Sequence, residues 1–438
     1  MRLPEFRIAS LFCFCVALAT VIGLVNLYSA AETQTGIFPR QAAATAVGAV
    51  LFAVLAAVDY RHLRKYSFFL YAAGNLVLLA TALLGHEVKA TRAWISLGFV
   101  SIQPSELFKG VFIVHLAAHL GKIQRERKTS MAYGLLIPVL YLALPVGLIL
   151  FQGDAGTAAV YLPVFFAMLY MADLHYMLVF VALTIGAVAG GFATLRIYSQ
   201  GIQHTWEPFL HKYISTAYSL PILGIAAAAG VVSFFLHLRR RHSRGGGWLN
   251  AISLSLFILF AGIQSGDVFY GKLKPHQKVR IASFFQPKLD PRGSGYQALQ
   301  AQIAVGSGGI FGKGYRKGTQ TRLGFLPEQW TDFAFSVLAE EWGFLGSLIT
   351  MGVYGLLIAS ALRIARTATD LFGCLVAAGV ATLFFVHMSI GIAMNLGSFP
   401  VIGIPMPLLS YGGSAQIAFL AMAGLVMSVA RHRRLLAA

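Results

Sequence analysis

The sequence predicts an all-α polytopic membrane protein with about twelve transmembrane helices and one large extracytoplasmic loop. Three observations predict it. The chain is 57% hydrophobic and only 11% charged, with a mean hydropathy of +0.71. Apolar runs recur, each long enough to cross a bilayer core of about 30 Å. The basic residues cluster between these runs. A length of 438 residues would suit two or three soluble domains, but this composition argues against them.

The runs lie near residues 9–30, 41–59, 66–85, 104–121, 131–151, 155–172, 175–195, 217–238, 248–265, 333–362, 371–396 and 406–430. The first follows Arg2 and Arg7, as a signal peptide would. Its apolar part exceeds the usual core of about 7–15 residues, so an uncleaved first helix is expected. The run at 333–362 is longer than one crossing needs, so tilt or extension past the bilayer is expected. Cys13, Cys15 and Cys374 lie inside runs without metal-ligand spacing and read as small core residues.

With the N-terminus in the cytoplasm, the cytoplasmic segments carry 18 Lys and Arg, in clusters such as Arg61, Arg64 and Lys65 or Arg239, Arg240, Arg241 and Arg244. The short outer loops carry five: Arg40, Lys89, Arg92, Arg196 and Lys212. This positive-inside bias puts both termini in the cytoplasm and residues 266–331 outside. The net charge of +18 therefore points to an anionic membrane rather than to nucleic acid. The outer stretch holds ten Lys and Arg of its own. Two readings of them stay open: solvation, or an anionic ligand such as a phosphate.

Several charges fall inside or beside the runs. Glu106 and Lys109 in "SIQPSELFKGVF" share a helix face at i, i+3 and can pair. Pro104 suits the first helical turn, with Gln103 or Ser105 as cap. Asp154 stands at the end of another run. Ionisable groups at membrane depth face an interior or a wet cavity, so these three read as a structural cluster, a site wall or both. In "LPEQWTDFAFSVLAEEWGF", Glu328 precedes the run and Asp332 stands where a helix begins. Glu340 and Glu341 follow about 12 Å deeper; one is expected to be protonated, or both to meet polar or basic partners. No His stands at i, i+4 from a carboxylate here, and no metal signature appears. His387 reads as a packed or hydrogen-bonded residue.

"GSGGIFGKGY" fails as a phosphate loop, because Ser307 and Gly314 occupy positions that need Gly and Ser/Thr. No nucleophile elbow or zincin motif occurs. "NLGSFPVIGIPMPLLSYGGSA", 395–415, is rich in Pro and Gly. Such irregular backbone is tolerated at membrane depth only when buried in protein or lining a cavity. Within "FFQPKLDPRGSGYQALQ", Asp290 precedes Pro291, a pattern that starts turns.

Four stretches together resemble the SEDS family of polytopic cell-wall polymerases, the RodA and FtsW proteins. They are "RAWISLGFVSIQPSELFKG", "DPRGSGYQALQAQIAVGSGGIFGKG", "FLPEQWTDFAFSVLAEEWGFLG" and "PVIGIPMPLLSYGGSA". They occur in family order and span most of the chain outside 197–265. The approach "GTQTRLGFLPEQWTDF" and the "SFPVIGIPMPLLSYGGSA" turn are nearer to RodA, the rod-shape branch. The resemblance implies a peptidoglycan glycosyltransferase acting on lipid II at the outer face of the bacterial inner membrane. It implies a class B penicillin-binding protein as partner, within an elongation or division machinery. It makes Asp290 the essential acid, in a context matched by Pro291, Gly293, Gly295, Tyr296 and Gln297. It matches Trp94, Glu106, Lys109 and Asp154 to family positions, and sets Glu328, Asp332 and Ser410 in family motifs as supporting residues.

Two features depart from the family pattern. Gln286 stands where members often have Asp, and 197–265 adds an apparent transmembrane hairpin to the usual ten spans. The expected chemistry is a single inverting displacement with Asp290 as general base. Lys278, Arg280, Arg292 or Lys313 would steady the leaving pyrophosphate, or a divalent Mg or Mn ion would. The rival functions are a transporter that flips lipid II and a non-catalytic scaffold.

Overall fold

The structure, a computed structural model, describes residues 3–32, 34, 36–88, 91–96, 101–126, 136–173, 176–201, 261–263, 265–273, 275–291 and 293–432. The expected span 217–238, the span 248–265 as far as residue 260, the basic hairpin between them, and Arg292 lie outside these residues. Two compact units divide the chain: residues 176–296 form one, and 1–175 with 297–438 the other.

The larger unit opens with α1 (Leu3–Ala30), α2 (Ile37–Ala57) and α3 (Tyr60–Leu84). It continues with α4 (Pro104–Arg125), α5 (Ile137–Phe151) and α6 (Ala155–Met171). Between α3 and α4 lies a small antiparallel sheet, β1 (His86–Val88), β2 (Thr91–Ser96) and β3 (Ser101–Ile102). It adds strands to a chain expected to be all-α. The alternation Ala93, Ile95 against Trp94, Ser96 and the aromatic and β-branched residues of "TRAWIS" suit a strand.

In the smaller unit, α7 (Tyr176–Gly201) is followed after the undescribed stretch by helical residues 265–272 and α8 (Pro275–Phe285). A 3-10 turn, Pro287–Leu289, then leads into α9 (Ser294–Ser307). The larger unit resumes along α9 and goes on to α10 (Thr319–Arg322), α11 (Ala334–Arg366), α12 (Leu371–Asn395) and α13 (Gly413–His432). Within residues 266–331, expected as the large outer loop between two spans, the described residues are largely helical in short pieces. Polar residues mark solvent, and solvent does not forbid a helix.

Among the described residues, α1, α2, α3, α11, α12 and α13 are long and apolar enough to cross a membrane. The helix α4 has the length but carries Glu106, Lys109, Lys122 and Arg125. Its companions α5 and α6 are apolar and shorter. Short acids cap several helices: Asp59 Oδ1 accepts from Arg61 N–H at 3.0 Å, and Asp370 Oδ1 from Gly373 N–H at 3.3 Å. Small residues bring helices together without lipid between them. A Cβ on Gly424 of α13 would lie 2.7 Å from the Phe52 carbonyl of α2.

The long run at 333–362 also holds a break. Helix α11 breaks at Gly343, whose φ of 68° and ψ of −163° leave the helical region. The Gly-rich segment that failed as a phosphate loop fills the break. Lys313 and Gly314 N–H donate to the Glu340 and Glu341 carbonyls, both at 3.0 Å. Phe344 and Leu345 N–H donate to the Gly309 and Ile310 carbonyls at 2.9 and 3.1 Å. Backbone freed by the break is therefore satisfied from a second segment, as an apolar interior requires. The approach excludes side chains: a Cβ on Gly343 would lie 2.2 Å from the Gly312 nitrogen.

Residues 401–412 are likewise non-helical, and Val401, Ile404, Met406, Leu408, Leu409 and Ser410 are buried. Their carbonyls find side chains on neighbouring helices. His387 Nδ1 lies 2.9 Å from the Pro405 carbonyl, and Tyr354 donates its hydroxyl to that of Pro407. Of the two surroundings expected for this irregular backbone, protein or a cavity, protein buries most of the stretch, while Gly403 is exposed. The last helix starts at Gly413 because these residues precede it, not at 406.

Candidate active site

The Asp290 turn is built from local rules. Asp290 follows the 3-10 turn with φ −133° and ψ 70°, outside the α region that a residue before proline avoids. Its N–H donates to the Pro287 carbonyl at 3.2 Å. Its carbonyl accepts from Gly293 and Tyr296 N–H at 3.4 and 3.2 Å. Its carboxylate Oδ2 accepts from Ser294 N–H at 2.7 Å and from Ser294 Oγ at 3.0 Å. The charge sits at the N-terminus of α9, where the helix dipole favours an anion. Among the described residues, Oδ1 accepts no hydrogen bond, and Asp290 is only half-buried.

Both glycines of the motif are explained by contact. A Cβ on Gly293 would lie 2.3 Å from Asp290 Oδ2, so the glycine leaves room for the carboxylate. A Cβ on Gly295 would lie 2.2 Å from the Pro287 carbonyl oxygen, so the glycine lets α9 pack onto the 3-10 turn. Tyr296 and Gln297 follow on α9, both half-buried.

Two of the expected phosphate-binding residues stand on α8, which leads into this turn. Arg280 is exposed. Lys278 Nζ lies 3.9 Å from the ring centroid of Tyr270, a cation–π contact. The Arg196 guanidinium lies 4.7 Å from the same ring and pairs with Asp267.

Within the larger unit, the other expected residues form three groups. In the first, Lys109 Nζ donates to Glu106 Oε1 at 2.6 Å and lies 3.1 Å from His387 Nε2. Lys109, Glu106 and His387 are all buried. The Pro405 contact at His387 Nδ1 assigns the proton to that nitrogen, leaving Nε2 to accept from the ammonium. In the second, Asp154 caps α6 through Thr157 N–H at 2.9 Å. Gln103 occupies the cap position of α4 but gives it no side-chain bond; its amide goes to Asp154 Oδ2 at 2.8 Å. Trp94 lies half-buried on β2, its Cα opposite His86.

The third group surrounds Glu340, which is wholly buried. Oε1 accepts from Lys313 Nζ at 2.8 Å, Thr319 Oγ1 at 3.1 Å and Gln320 N–H at 2.9 Å. Oε2 accepts from Thr321 N–H and Oγ1 at 3.2 and 3.0 Å. Lys313 Nζ also meets Ser307 Oγ and Thr319 Oγ1, both at 2.7 Å, so its three donors are met inside the protein. Glu341 Oε1 accepts from Ser29 Oγ at 2.5 Å. Polar and basic partners thus meet Glu340, whereas Glu341 Oε2 is buried and accepts no hydrogen bond among the described residues.

The remaining supporting residues have structural partners. Glu328 Oε2 accepts from Thr331 Oγ1 at 3.2 Å. The Asp332 carbonyl accepts from Asn395 Nδ2 at 2.9 Å. Asn395 Oδ1 also takes the Ser336 N–H at 2.8 Å, so α12 caps the start of α11. Ser410 Oγ accepts from Met406 N–H at 2.9 Å and closes the buried turn. Sequence reasoning took Gln103 only as a helix cap and missed its bond to Asp154, and it missed Asn395 and Ser294 altogether, since nothing in their spacing announces partners. No three His, Cys, Asp or Glu side chains among the described residues converge as a metal site would need.

A family model described as "Cell cycle protein", covering FtsW, RodA and SpoVE, matches residues 9–221 and 245–435. The stretch between the two matches, 222–244, lies inside the segment read as an inserted hairpin. The chain is 34% identical over 420 residues to peptidoglycan glycosyltransferase RodA of Treponema pallidum, covering 94% of each chain. It is 30% identical over 416 residues to peptidoglycan glycosyltransferase MrdB of Escherichia coli, covering 95% of this chain and 91% of that one. A solved chain from a peptidoglycan synthase complex, in which polymerization and crosslinking are coordinated, superposes with a TM-score of 0.64. It is 27% identical, with 96% of this chain and 97% of that one covered. On a family match and relatives that both run nearly the full length, the chain belongs to the FtsW, RodA and SpoVE family of cell cycle proteins.

Proposed function

We propose that this protein is a peptidoglycan glycosyltransferase that polymerises lipid II at the outer face of the bacterial inner membrane. Both termini are cytoplasmic and the Asp290 turn is extracytoplasmic. Its near full-length relatives are named for this activity. The observation that carries the mechanism is the Asp290 carboxylate: Oδ2 is tied down by Ser294, while Oδ1 accepts no bond among the described residues.

Asp290 Oδ1 takes the proton of the GlcNAc 4-hydroxyl as that oxygen attacks the anomeric carbon of the lipid-linked donor. The new C–O bond forms as the bond to pyrophosphate breaks, and undecaprenyl pyrophosphate leaves. An α-linked donor gives a β-1,4 product, which one displacement with inversion supplies. Pyrophosphate leaves as an anion and needs no acid, so one carboxylate suffices. Lys278 and Arg280, on the helix entering the turn, steady the developing charge. Arg292 sits in the turn's own sequence and would add to them. Lys313 is the weaker candidate, because Glu340 and two hydroxyls hold its ammonium. A Mg or Mn ion is the other means of neutralising the pyrophosphate, and a rate that depends on the added ion would support it.

The partner is a class B penicillin-binding protein that crosslinks the strands, in an elongation or division machinery. Similarity to a chain of a polymerizing and crosslinking complex supports this. Purified protein in liposomes, given lipid II alone, tests the function. Glycan polymer is the expected product. Transfer of lipid II between leaflets without polymer would make the protein a transporter. Neither activity, with polymer only when a separate polymerase is added, would make it a scaffold.

A further inference from the structure

Asp290 is held by more than its own turn. Ser294 Oγ, which donates to Asp290 Oδ2 at 3.0 Å, lies 2.8 Å from Ser283 Oγ on α8. Both serines are buried, at 8% and 2% exposure, beneath the half-exposed acid. A hydroxyl has one proton to give. That of Ser294 goes to the carboxylate, because a charged acceptor makes the stronger bond. Ser294 Oγ is then left as acceptor, so the proton across the 2.8 Å contact is that of Ser283, for which the Arg280 carbonyl at the longer 3.1 Å competes. The result is a chain from carboxylate to Ser294 to Ser283, crossing eleven residues of sequence to reach α8. It is separate from the backbone bonds that shape the turn.

We propose that Ser294 and Ser283 are positioning residues for the Asp290 base: they anchor Oδ2, so that Oδ1 is the oxygen presented to the acceptor hydroxyl. The inference rests on Asp290 being the base. A carboxylate pinned through one oxygen spends its time in one orientation, and orientation is a large part of what a general base contributes. The serine hydroxyl can be separated from the start of α9. The Ser294 N–H bond to Oδ2, at 2.7 Å, does not need the side chain.

The test is steady-state lipid II polymerisation by full-length Ser294→Ala, Ser294→Thr, Ser283→Ala and the double alanine variant, with Asp290→Asn in parallel. Loss of a hydrogen bond to a charged group predicts kcat about 10-fold lower for Ser294→Ala. KM should stay within about two-fold, since the bond serves the transition state rather than substrate binding. Ser294→Thr keeps a hydroxyl and recovers most of the rate. Ser283→Ala alone costs about three-fold and adds nothing in the Ser294→Ala background, because the two act as one chain. If Asp290→Asn is inactive while folded Ser294→Ala keeps wild-type kcat, the positioning role is overturned and the base stands. A loss in Ser294→Ala that Ser294→Thr does not rescue, with KM and thermal stability moving together, would make the hydroxyl merely structural and also overturn it. If Asp290→Asn itself is active, the base assignment is what fails.

Discussion

Lys313 and Glu340 meet at 2.8 Å, 27 residues apart in sequence, beside the point where α11 breaks. Lys313 also lends its backbone N–H to the Glu340 carbonyl at 3.0 Å. One residue thus serves both the charge and the backbone at the end of a broken helix. The carboxylate in turn takes the Gln320 and Thr321 amides of α10, so a buried acid gathers Lys313 and the first turn of that helix.

Lys313→Met removes the only cation bonded to Glu340 among the described residues and leaves its charge to two hydroxyls and two amides. Removing one partner of a buried pair is strongly destabilising; with the other donors kept, about 2–3 kcal/mol is expected. The readout is a lower thermal midpoint in detergent. Adding Glu340→Gln should recover part of it. An unchanged midpoint for Lys313→Met would show that the pair carries no stability.

Two glycines with similar φ should behave differently. Gly343 has φ +68° and no space, while Gly309 has φ +60° and nothing within 4 Å of where a Cβ would stand. Gly309→Ala should cost only the left-handed backbone penalty of about 1–2 kcal/mol. Gly343→Ala should abolish the folded monodisperse protein on size exclusion, because the obstacle is backbone. Equal behaviour of the two variants would contradict the close approach at the break.

Among the described residues, Lys109 and Glu106 form the most deeply buried ion pair, at 2% and 3% side-chain exposure. Lys109→Met leaves a buried carboxylate and should cost about 3–5 kcal/mol. The double variant Lys109→Met with Glu106→Gln should be more stable than Lys109→Met alone, since no bare charge remains. Thermal unfolding of the two proteins checks the order.

Much of this was readable in the residues. Apolar runs announce crossing helices because a bilayer constrains length and hydropathy together. The i, i+3 spacing of Glu106 and Lys109 announced their pairing, and the prolines and glycines near 405 announced an irregular segment. The break at Gly343 was not readable. Glycine is common in membrane helices, and this one breaks the helix because a segment about 30 residues earlier supplies the missing bonds. The partner of His387 was hidden for the same reason: Lys109 lies 278 positions away. At the Asp290 turn, the acid and the glycines stand out in the sequence. Ser294 and Ser283 do not, because a serine in a polar stretch looks like a solvent-facing residue until its partner is placed.

Polymerisation of lipid II by purified, folded Asp290→Asn tests the assignment of the base most directly. The substitution keeps shape and removes the proton acceptor. Glycan synthesis should fall by at least about 100-fold, the usual scale for loss of a general base, while lipid II binding persists. Undiminished glycan synthesis would contradict the assignment.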